Sequence, residues 1–137
     1  MELTLEVAQK LLAAQPFSVL VGARLTAFGD GGAELELDIR EDLQQQNGFL
    51  HGGVLAYAAD NAITFAGGTA LGPEVLTGGF TISYVRPARG VTLRAQANVA
   101  HSGKRQATCT CELSTIDEAG TTTLCAIAQG TVIALNR

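Results

Sequence analysis

The sequence lacks tryptophan and is poor in aromatic residues of every kind, which make up 5% of the chain. It also lacks any cluster of lysine and arginine, and its formal net charge at pH 7 is -4. A protein that binds nucleic acid needs a basic surface, and one that binds single strands also needs aromatic side chains on which bases stack. Since the sequence offers neither, we expect no nucleic-acid partner.

Long apolar runs are also missing, because no apolar stretch free of charge reaches the roughly 18 residues that a membrane-spanning helix needs. The segment Met1–Phe17 begins with an acidic residue, whereas a secretory signal begins with basic ones, and it predicts a short amphipathic helix. Cysteine is scarce, and Cys109, Cys111 and Cys125 lack the spacing of a metal site. We therefore expect a cytoplasmic protein that makes no membrane contact and keeps its thiols reduced in the core and the sheet.

Apolar residues, in contrast, are abundant: they make up 47% of the 137 residues, against 16% charged residues. This balance is typical of a packed core and excludes a largely disordered chain. The length suits one domain and is too short for two ordinary ones. We therefore treat residues 1–137 as a single domain.

The spacing of apolar residues predicts two helices and five to six strands. In chain order, these are a helix over Thr4–Ala14, strands over Val19–Ala27 and Ala33–Arg40, a helix over Val54–Thr69 that stops at the Gly67-Gly68 pair, and strands over Leu76–Val85, Val91–Ala100, Arg105–Ile116 and Thr121–Leu135. The strands alternate, so that Val91, Leu93, Ala95, Ala97 and Val99 are expected to face the core. The second helix is apolar almost all round, which predicts that it is buried and surrounded by the sheet.

Asp60 is the most informative residue, because it is the only formally charged side chain between Asp42 and Glu74. It falls in the middle of the helix predicted to be buried. An unpaired carboxylate in such a place costs several kcal/mol. A structural role, in which Asp60 bonds to a nearby loop, is one interpretation. The residues that precede Asp60 in the chain favour a second interpretation, a functional role.

His51-Gly52-Gly53 comes directly before that helix, and His51 precedes Asp60 by nine residues. The first N–H groups of a helix have no internal partner and carry the positive end of the helix dipole. Glycine lets a ligand approach this backbone closely. The sequence therefore predicts a site for a carbonyl oxygen or oxyanion beside the helix start.

The motif Gly48-x-x-His51-Gly52-Gly53, followed by Asp60 and by Tyr84-Val85-Arg86-Pro87-Ala88, resembles the hotdog-fold acyl-CoA thioesterases of the phenylacetate-degradation (PaaI-like) type. The resemblance implies an α+β hotdog fold, in which a curved antiparallel sheet of five to six strands wraps around one long buried helix. It further implies a homodimer that shares its active sites and pairs into a tetramer.

The resemblance also assigns catalytic roles. Asp60 corresponds to the family's carboxylate, which acts as a general base on water or as a nucleophile. The N–H of Gly52 polarises the thioester carbonyl, and His51 orients the substrate or the loop. Thr77 lies where relatives carry a hydroxyl that holds the attacking water. The family's asparagine is replaced here by Gln45, so that Gln45, Gln46 or Asn47 takes its role.

Other residues are candidates for binding the substrate. These are Asn47 and Gly53 near the helix start, Gly78 and Gly79 along the pantetheine arm, and Arg86 and Arg89 at the phosphates of CoA. Gly78-Gly79 could instead be an irregularity of an edge strand, and each arginine an ordinary solvated charge. We expect no metal, because His51 and His101 are the only histidines and no acidic ligand lies at metal spacing. We also expect no cofactor, because CoA is part of the substrate.

These residues predict a thioesterase that hydrolyses a small or medium acyl-CoA, with aryl groups included. A thioester carbonyl is electrophilic and thiolate leaves readily, so one carboxylate and one oxyanion donor suffice. The alternative is a protein on the same fold that binds acyl-CoA without hydrolysing it. A hotdog hydratase is a third hypothesis, but its His-Phe-Pro turn is absent.

Overall fold

The structure, a computed structural model, describes residues 3–135. Met1 and Glu2, where the predicted amphipathic segment begins, lie outside the described residues. The elements in chain order are α1 (Leu5–Ala13), α2 (Pro16–Val21), β1 (Arg24–Gly29), β2 (Gly32–Asp38), a short 3-10 turn (Glu41–Leu43), α3 (Gly52–Leu71), β3 (Val75–Tyr84), β4 (Thr92–Ser102), β5 (Gln106–Ile116) and β6 (Thr122–Ala134).

The six strands form one antiparallel sheet in the order β1-β2-β4-β5-β6-β3. Strands β1 and β3 are therefore its edges. Helix α3 packs against the sheet and contacts all six strands. The α+β hotdog fold predicted from the sequence is confirmed.

The core lies between α3 and the sheet. On the helix side it is built largely from alanine, with Ile63 as a fully buried larger residue. Small side chains allow α3 to lie close to the sheet, and at Gly67 the helix lies very close to β6. A Cβ atom added there would lie 2.6 Å from Val132 of β6, a separation that real Cβ atoms do not tolerate. Gly67 thus belongs to the helix–sheet contact.

The predicted end of the long helix is accordingly wrong. Gly67 and Gly68 continue α3, which runs for 20 residues to Leu71 and ends at Gly72. Gly72 has a φ of 95°, a conformation that glycine adopts readily. The Gly-Gly pair was interpreted as a cap because the helix–sheet distance cannot be seen in a local pattern.

The strand predicted over Val19–Ala27 is also wrong in its first part. Residues Pro16–Val21 form helix α2, which has Pro16 at its first position and ends at Gly22 with a φ of 83°. Ser18 in this helix accepts a 2.6 Å hydrogen bond from the hydroxyl of Tyr57 on α3. This tertiary bond favours the helix over the strand that the apolar run alone suggests.

Two further predictions concern individual side chains. Val91 was expected to face the core, but it precedes β4 and is 46% exposed, because the alternation begins only at Leu93. The cysteines are free and buried as predicted. Burial raises the pKa of Cys109 to about 11 and that of Cys111 to about 12. In the part of the chain that the structure describes, no helix is long and apolar enough to cross a membrane.

Candidate active site

Asp60 lies near the middle of α3, on a side of the helix that the sheet covers only in part. It is half-buried, whereas the sequence predicted complete burial. The Thr77 hydroxyl on edge strand β3 donates a short hydrogen bond to Oδ1 of Asp60. Within residues 3–135, Asp60 takes part in no salt bridge. The carboxylate is therefore held by a neutral partner, the Thr77 hydroxyl.

Thr64 completes this cluster, and the sequence analysis missed it. It follows Asp60 by four residues and so lies one turn further along the same face of α3. Its Oγ1 lies 2.5 Å from Oγ1 of Thr77, 2.8 Å from the main-chain oxygen of Asp60 and 3.4 Å from its Oδ1. The i,i+4 spacing of an aspartate and a threonine was the signal that could have found it.

The second carboxylate oxygen of Asp60, Oδ2, receives no hydrogen bond from any residue in the range 3–135. A carboxylate in which one oxygen is fixed and the other is open has a defined orientation and a free lone pair. It can accept a proton from water or attack an electrophilic carbon. Thr77 and Thr64 thus act on the orientation of the group.

His51 is the N-cap of α3, and its Nδ1 accepts a 2.8 Å hydrogen bond from the N–H of Gly53. Because Nδ1 accepts, the hydrogen of the neutral imidazole is on Nε2. The N–H of Gly53, a predicted substrate-binding residue, is therefore already bonded within the chain. His51 itself is exposed and fixes the loop that leads into the helix.

Gly52 is the first residue of α3, so its N–H has no acceptor within the helix and has none elsewhere in the described range. Its carbonyl oxygen accepts a 2.9 Å hydrogen bond from the hydroxyl of Tyr84, at the end of β3. This bond fixes the peptide next to the free N–H. The helix dipole makes that N–H a favourable partner for a partly negative oxygen.

A cleft of about 390 Å³ opens beside Gly52. Its lining includes Gln45, Phe49, Gly52, Tyr84 and Arg86. Of the three residues considered for the asparagine role, the structure brings Gln45 into this cleft, whereas Gln46 and Asn47 are exposed and do not line it. Oε1 of Gln45 accepts a short hydrogen bond from the Asn47 N–H, which leaves the amide nitrogen of Gln45 as a donor.

The two predicted phosphate-binding arginines lie near this cleft. Arg86 lines it and donates a 2.8 Å hydrogen bond to the carbonyl oxygen of Leu124. The guanidinium of Arg89 lies 4.8 Å from the ring centre of Phe49, a cation–π contact. Both side chains are exposed. They give this cleft a positive mouth.

Gly78 and Gly79 occupy a β-bulge of β3, where the register with β6 shifts between Thr77 and Gly79. A Cβ atom added to Gly79 would meet no atom within 4 Å, so the strand has open space at this point. The predicted edge-strand irregularity is therefore present. It directly follows Thr77 and sets the direction of that side chain.

Asp60 and Gly52 do not share one site within a single chain. Asp60 lies eight positions after Gly52 in α3, which places the two groups about 12 Å apart along the helix axis. A thioester group is far too small to contact both. In the range 3–135, no three His, Cys, Asp or Glu side chains lie close enough together to hold a metal ion.

Comparisons with known proteins identify the family of the chain. Residues 47–122, more than half of the chain, match the Thioesterase superfamily. No protein of curated function matches the sequence. Three solved structures illustrate the likeness. A thioesterase family protein from Silicibacter pomeroyi is 29% identical, with a TM-score of 0.87 over 92% of this chain and 93% of that chain.

A thioesterase from Haemophilus influenzae is 25% identical, with a TM-score of 0.83 over 100% of this chain and 95% of that one. A variant of the phenylacetic acid degradation protein PaaI from Thermus thermophilus is 27% identical, with a TM-score of 0.76 over 88% of this chain and 100% of that chain. Fold, motif and comparisons therefore agree, and the chain belongs to the Thioesterase superfamily, with PaaI-like relatives.

Proposed function

We propose that the protein is an acyl-CoA thioesterase that hydrolyses a small or medium acyl-CoA to the free acid and CoA. The observation that carries the proposal is the carboxylate of Asp60, with Oδ1 held by Thr77 and Oδ2 open. A binding protein would have no need to hold a charge in this orientation. The reaction requires no cofactor beyond the CoA of the substrate itself.

In the proposed reaction, the N–H of Gly52 donates a hydrogen bond to the thioester carbonyl oxygen and stabilises the negative charge that develops there. Such a donor typically lowers a barrier by about 3 kcal/mol. In one route, Oδ2 of Asp60 takes a proton from water while the water oxygen bonds to the carbonyl carbon. The tetrahedral intermediate then expels CoA thiolate, which takes up the proton that Asp60 accepted from water, so that the carboxylate is restored.

In the other route, Oδ2 of Asp60 itself attacks the carbonyl carbon and expels the thiolate. Water then hydrolyses the resulting mixed anhydride and restores the carboxylate. Both routes need the same two groups, namely an oriented carboxylate and a backbone donor.

The proposed site is shared by two chains, because Asp60 and Gly52 of one chain are too far apart. Edge strand β3 carries Thr77 near its beginning and Tyr84, which contacts Gly52, at its end. If two copies of β3 pair antiparallel, the end of one strand lies opposite the beginning of the other. Asp60 of each chain then faces Gly52 of its neighbour. The tetramer implied by the resemblance stays a prediction.

The cleft beside Gly52 is the proposed binding site for the CoA part of the substrate. Arg86 and Arg89 lie near the phosphates at its mouth, and the Gly78-Gly79 backbone, which has open space at Gly79, borders the pantetheine arm. The amide nitrogen of Gln45 takes the role of the family's asparagine and binds the thioester sulfur or the attacking water. These assignments rest on the cleft lining and on the free donors described above.

The test is release of free thiol from a panel of acyl-CoA thioesters by the parent protein and by Asp60→Asn. We expect hydrolysis by the parent and its loss in the variant. Asp38→Asn is the matched control, because Asp38 is exposed at the end of β2 and pairs only with Arg24. An Asp60→Asn variant that kept more than about one-tenth of the parent rate would contradict the role of Asp60 as base or nucleophile.

The same panel separates the alternatives. A protein that only binds acyl-CoA would show saturable binding in calorimetry without release of thiol. A hydratase would convert an enoyl-CoA to the hydroxyacyl-CoA, whereas a thioesterase would release free CoA from it. Either result would exclude the proposed activity.

A further inference from the structure

A second groove lies between α1 and the second half of α3, away from Gly52. Its walls include the apolar side chains of Leu3, Leu11, Phe28, Phe65 and Val75, and its volume is about 180 Å³. The proposed function as described so far does not use it.

This groove begins at the Asp60 cluster. Thr64, whose hydroxyl lies 3.4 Å from Oδ1 of Asp60, is one of the lining residues. Val75, at the start of the strand that carries Thr77, is another. The groove then follows α3 past Gly68, one turn beyond Thr64, towards Gly72. A group bonded to a carbonyl carbon at Asp60 can therefore enter it directly.

The groove along α3 and the cleft beside Gly52 differ in charge. None of the residues that line the groove along α3 is acidic or basic, whereas Arg86 lines the cleft beside Gly52. An acyl-CoA has the same polarity, because its phosphates are at one end and its acyl group is at the other. A phosphate group that leaves water needs a cation beside it, because an unpaired buried charge is costly. An apolar acyl chain, in contrast, is stabilised when it is buried against uncharged, apolar side chains.

We propose that the groove along α3 is the acyl pocket, and that it selects apolar acyl groups of medium length. The proposal rests on the proposed function, since it names the substrate class of the same site. A cavity of about 150 Å³ holds a benzene molecule, so a groove of this size receives about six to eight non-hydrogen atoms. Hexanoyl and octanoyl groups fill it, an acetyl group leaves it empty, and a palmitoyl chain exceeds it.

Gly68 is the residue at which the pocket can be closed. A Cβ atom added there would have Leu3 as its nearest neighbour, at 3.9 Å, so a side chain has room to extend into the groove. Ala70 lies on the same helix and is exposed. The variants Gly68→Leu and Ala70→Leu therefore add comparable bulk to α3, inside the groove and outside it.

The first experiment measures kcat/KM for acetyl-, hexanoyl-, octanoyl- and palmitoyl-CoA. In the parent protein we expect hexanoyl- and octanoyl-CoA to be preferred over both extremes. Gly68→Leu should lower the ratio of octanoyl- to acetyl-CoA kcat/KM by about tenfold, the effect of a few methylene groups in an apolar pocket. Ala70→Leu should leave the ratio unchanged. A Gly68→Leu variant with the parent ratio, or a parent protein that prefers acetyl- or palmitoyl-CoA, would overturn the proposal.

The second experiment measures binding by calorimetry in the Asp60→Asn protein, with and without Gly68→Leu. We expect octanoyl-CoA to bind about tenfold more tightly than acetyl-CoA, and Gly68→Leu to remove this difference. Equal affinities in Asp60→Asn would overturn the acyl pocket. Absence of hydrolysis in the parent, together with chain-length-dependent binding that Gly68→Leu removes, would refute the thioesterase and support the pocket. The two failures are therefore distinguishable.

Discussion

Thr77 on the edge strand β3 donates a hydrogen bond to Oδ1 of Asp60 on α3. The two residues are 17 positions apart in the chain, and their bond joins the strand to the helix. A hydrogen bond to a charged group contributes about 1.5–3 kcal/mol. Here the bond orients the carboxylate, because Thr77 is a neutral donor that contacts only one of the two carboxylate oxygens. Loss of the bond should therefore affect turnover more than folding.

Thr77→Val removes the hydroxyl and keeps the branched shape of the side chain. We expect kcat for acyl-CoA hydrolysis to fall about tenfold to a hundredfold, which corresponds to the loss of one hydrogen bond to a charged group. Thr77→Ser restores the donor and should recover most of the rate. Thr81→Val, on the same strand and exposed, is the matched control. Equal rates for Thr77→Val and the parent would show that Asp60 needs no orientation by this residue.

Gly52→Pro tests the backbone donor. Proline is well tolerated at the first position of a helix, so this variant removes the N–H while α3 is retained. We expect kcat to fall about a hundredfold or more. Gly52→Ala keeps the N–H and should lose far less, since its methyl group would make only an ordinary contact of 3.5 Å with Tyr84.

If each active site is shared between two chains, two inactive variants should complement each other. When Asp60→Asn and Gly52→Pro proteins are unfolded together and refolded as a mixture, each mixed dimer regains one intact site. We expect activity well above that of either variant refolded alone. If the mixture shows only the average of the two, both groups act within one chain, and the shared site is wrong.

Gly67 and Gly68 provide a test of packing, because adjacent glycines of one helix have opposite surroundings. Gly67→Ala places a methyl group 2.6 Å from Val132, and such overpacking costs about 1–3 kcal/mol. Gly68→Ala meets no close atom and should raise the free energy of unfolding by up to about 1 kcal/mol through helix propensity. Urea denaturation measures both changes. Equal effects of the two substitutions would contradict the close helix–sheet contact.

The buried thiols predict how stability depends on pH. Burial raises the pKa of Cys109 from 9.0 to about 11 and that of Cys111 from 9.0 to about 12. The unfolded chain therefore loses these protons at lower pH than the folded protein, and stability falls as the pH rises above 9. The loss should approach about 1.4 kcal/mol per pH unit for each thiol. Urea denaturation at pH 8 to 11 should show a shallower decrease for Cys111→Ala than for the parent.

The sequence predicted most of the fold, and it singled out the residues of the candidate site, because both depend on local patterns. The alternation of β2, the apolar length of α3 and the turn at His51 are all encoded within a few residues. The helix over Pro16–Val21 was missed because its stability depends on Tyr57, far away in the chain. The end of α3 was missed because the contact of Gly67 with Val132 is tertiary.

The residues of the site were predictable to different degrees. Asp60 stands out as the lone charge in an apolar helix, and the sequence placed it correctly on α3. Its partial exposure was not predictable, since that depends on which strand lies beside the helix. Thr64 was missed because a threonine in a helix carries no functional signal by itself, and only its i,i+4 spacing from Asp60 points to it. Thr77 was found only through the resemblance to a family.

Thr77 and Val132 are direct partners in the β3–β6 ladder, so the hydrogen bond to Asp60 and the tight contact at Gly67 are made by one pair of facing residues. The spacing between α3 and the sheet is thus set about two helical turns beyond Asp60, by the strand residue that faces Thr77. We therefore expect a larger side chain at Gly67 to move α3 away from β6 and to lengthen the hydrogen bond between Thr77 and Asp60, although Gly67 itself contacts neither residue.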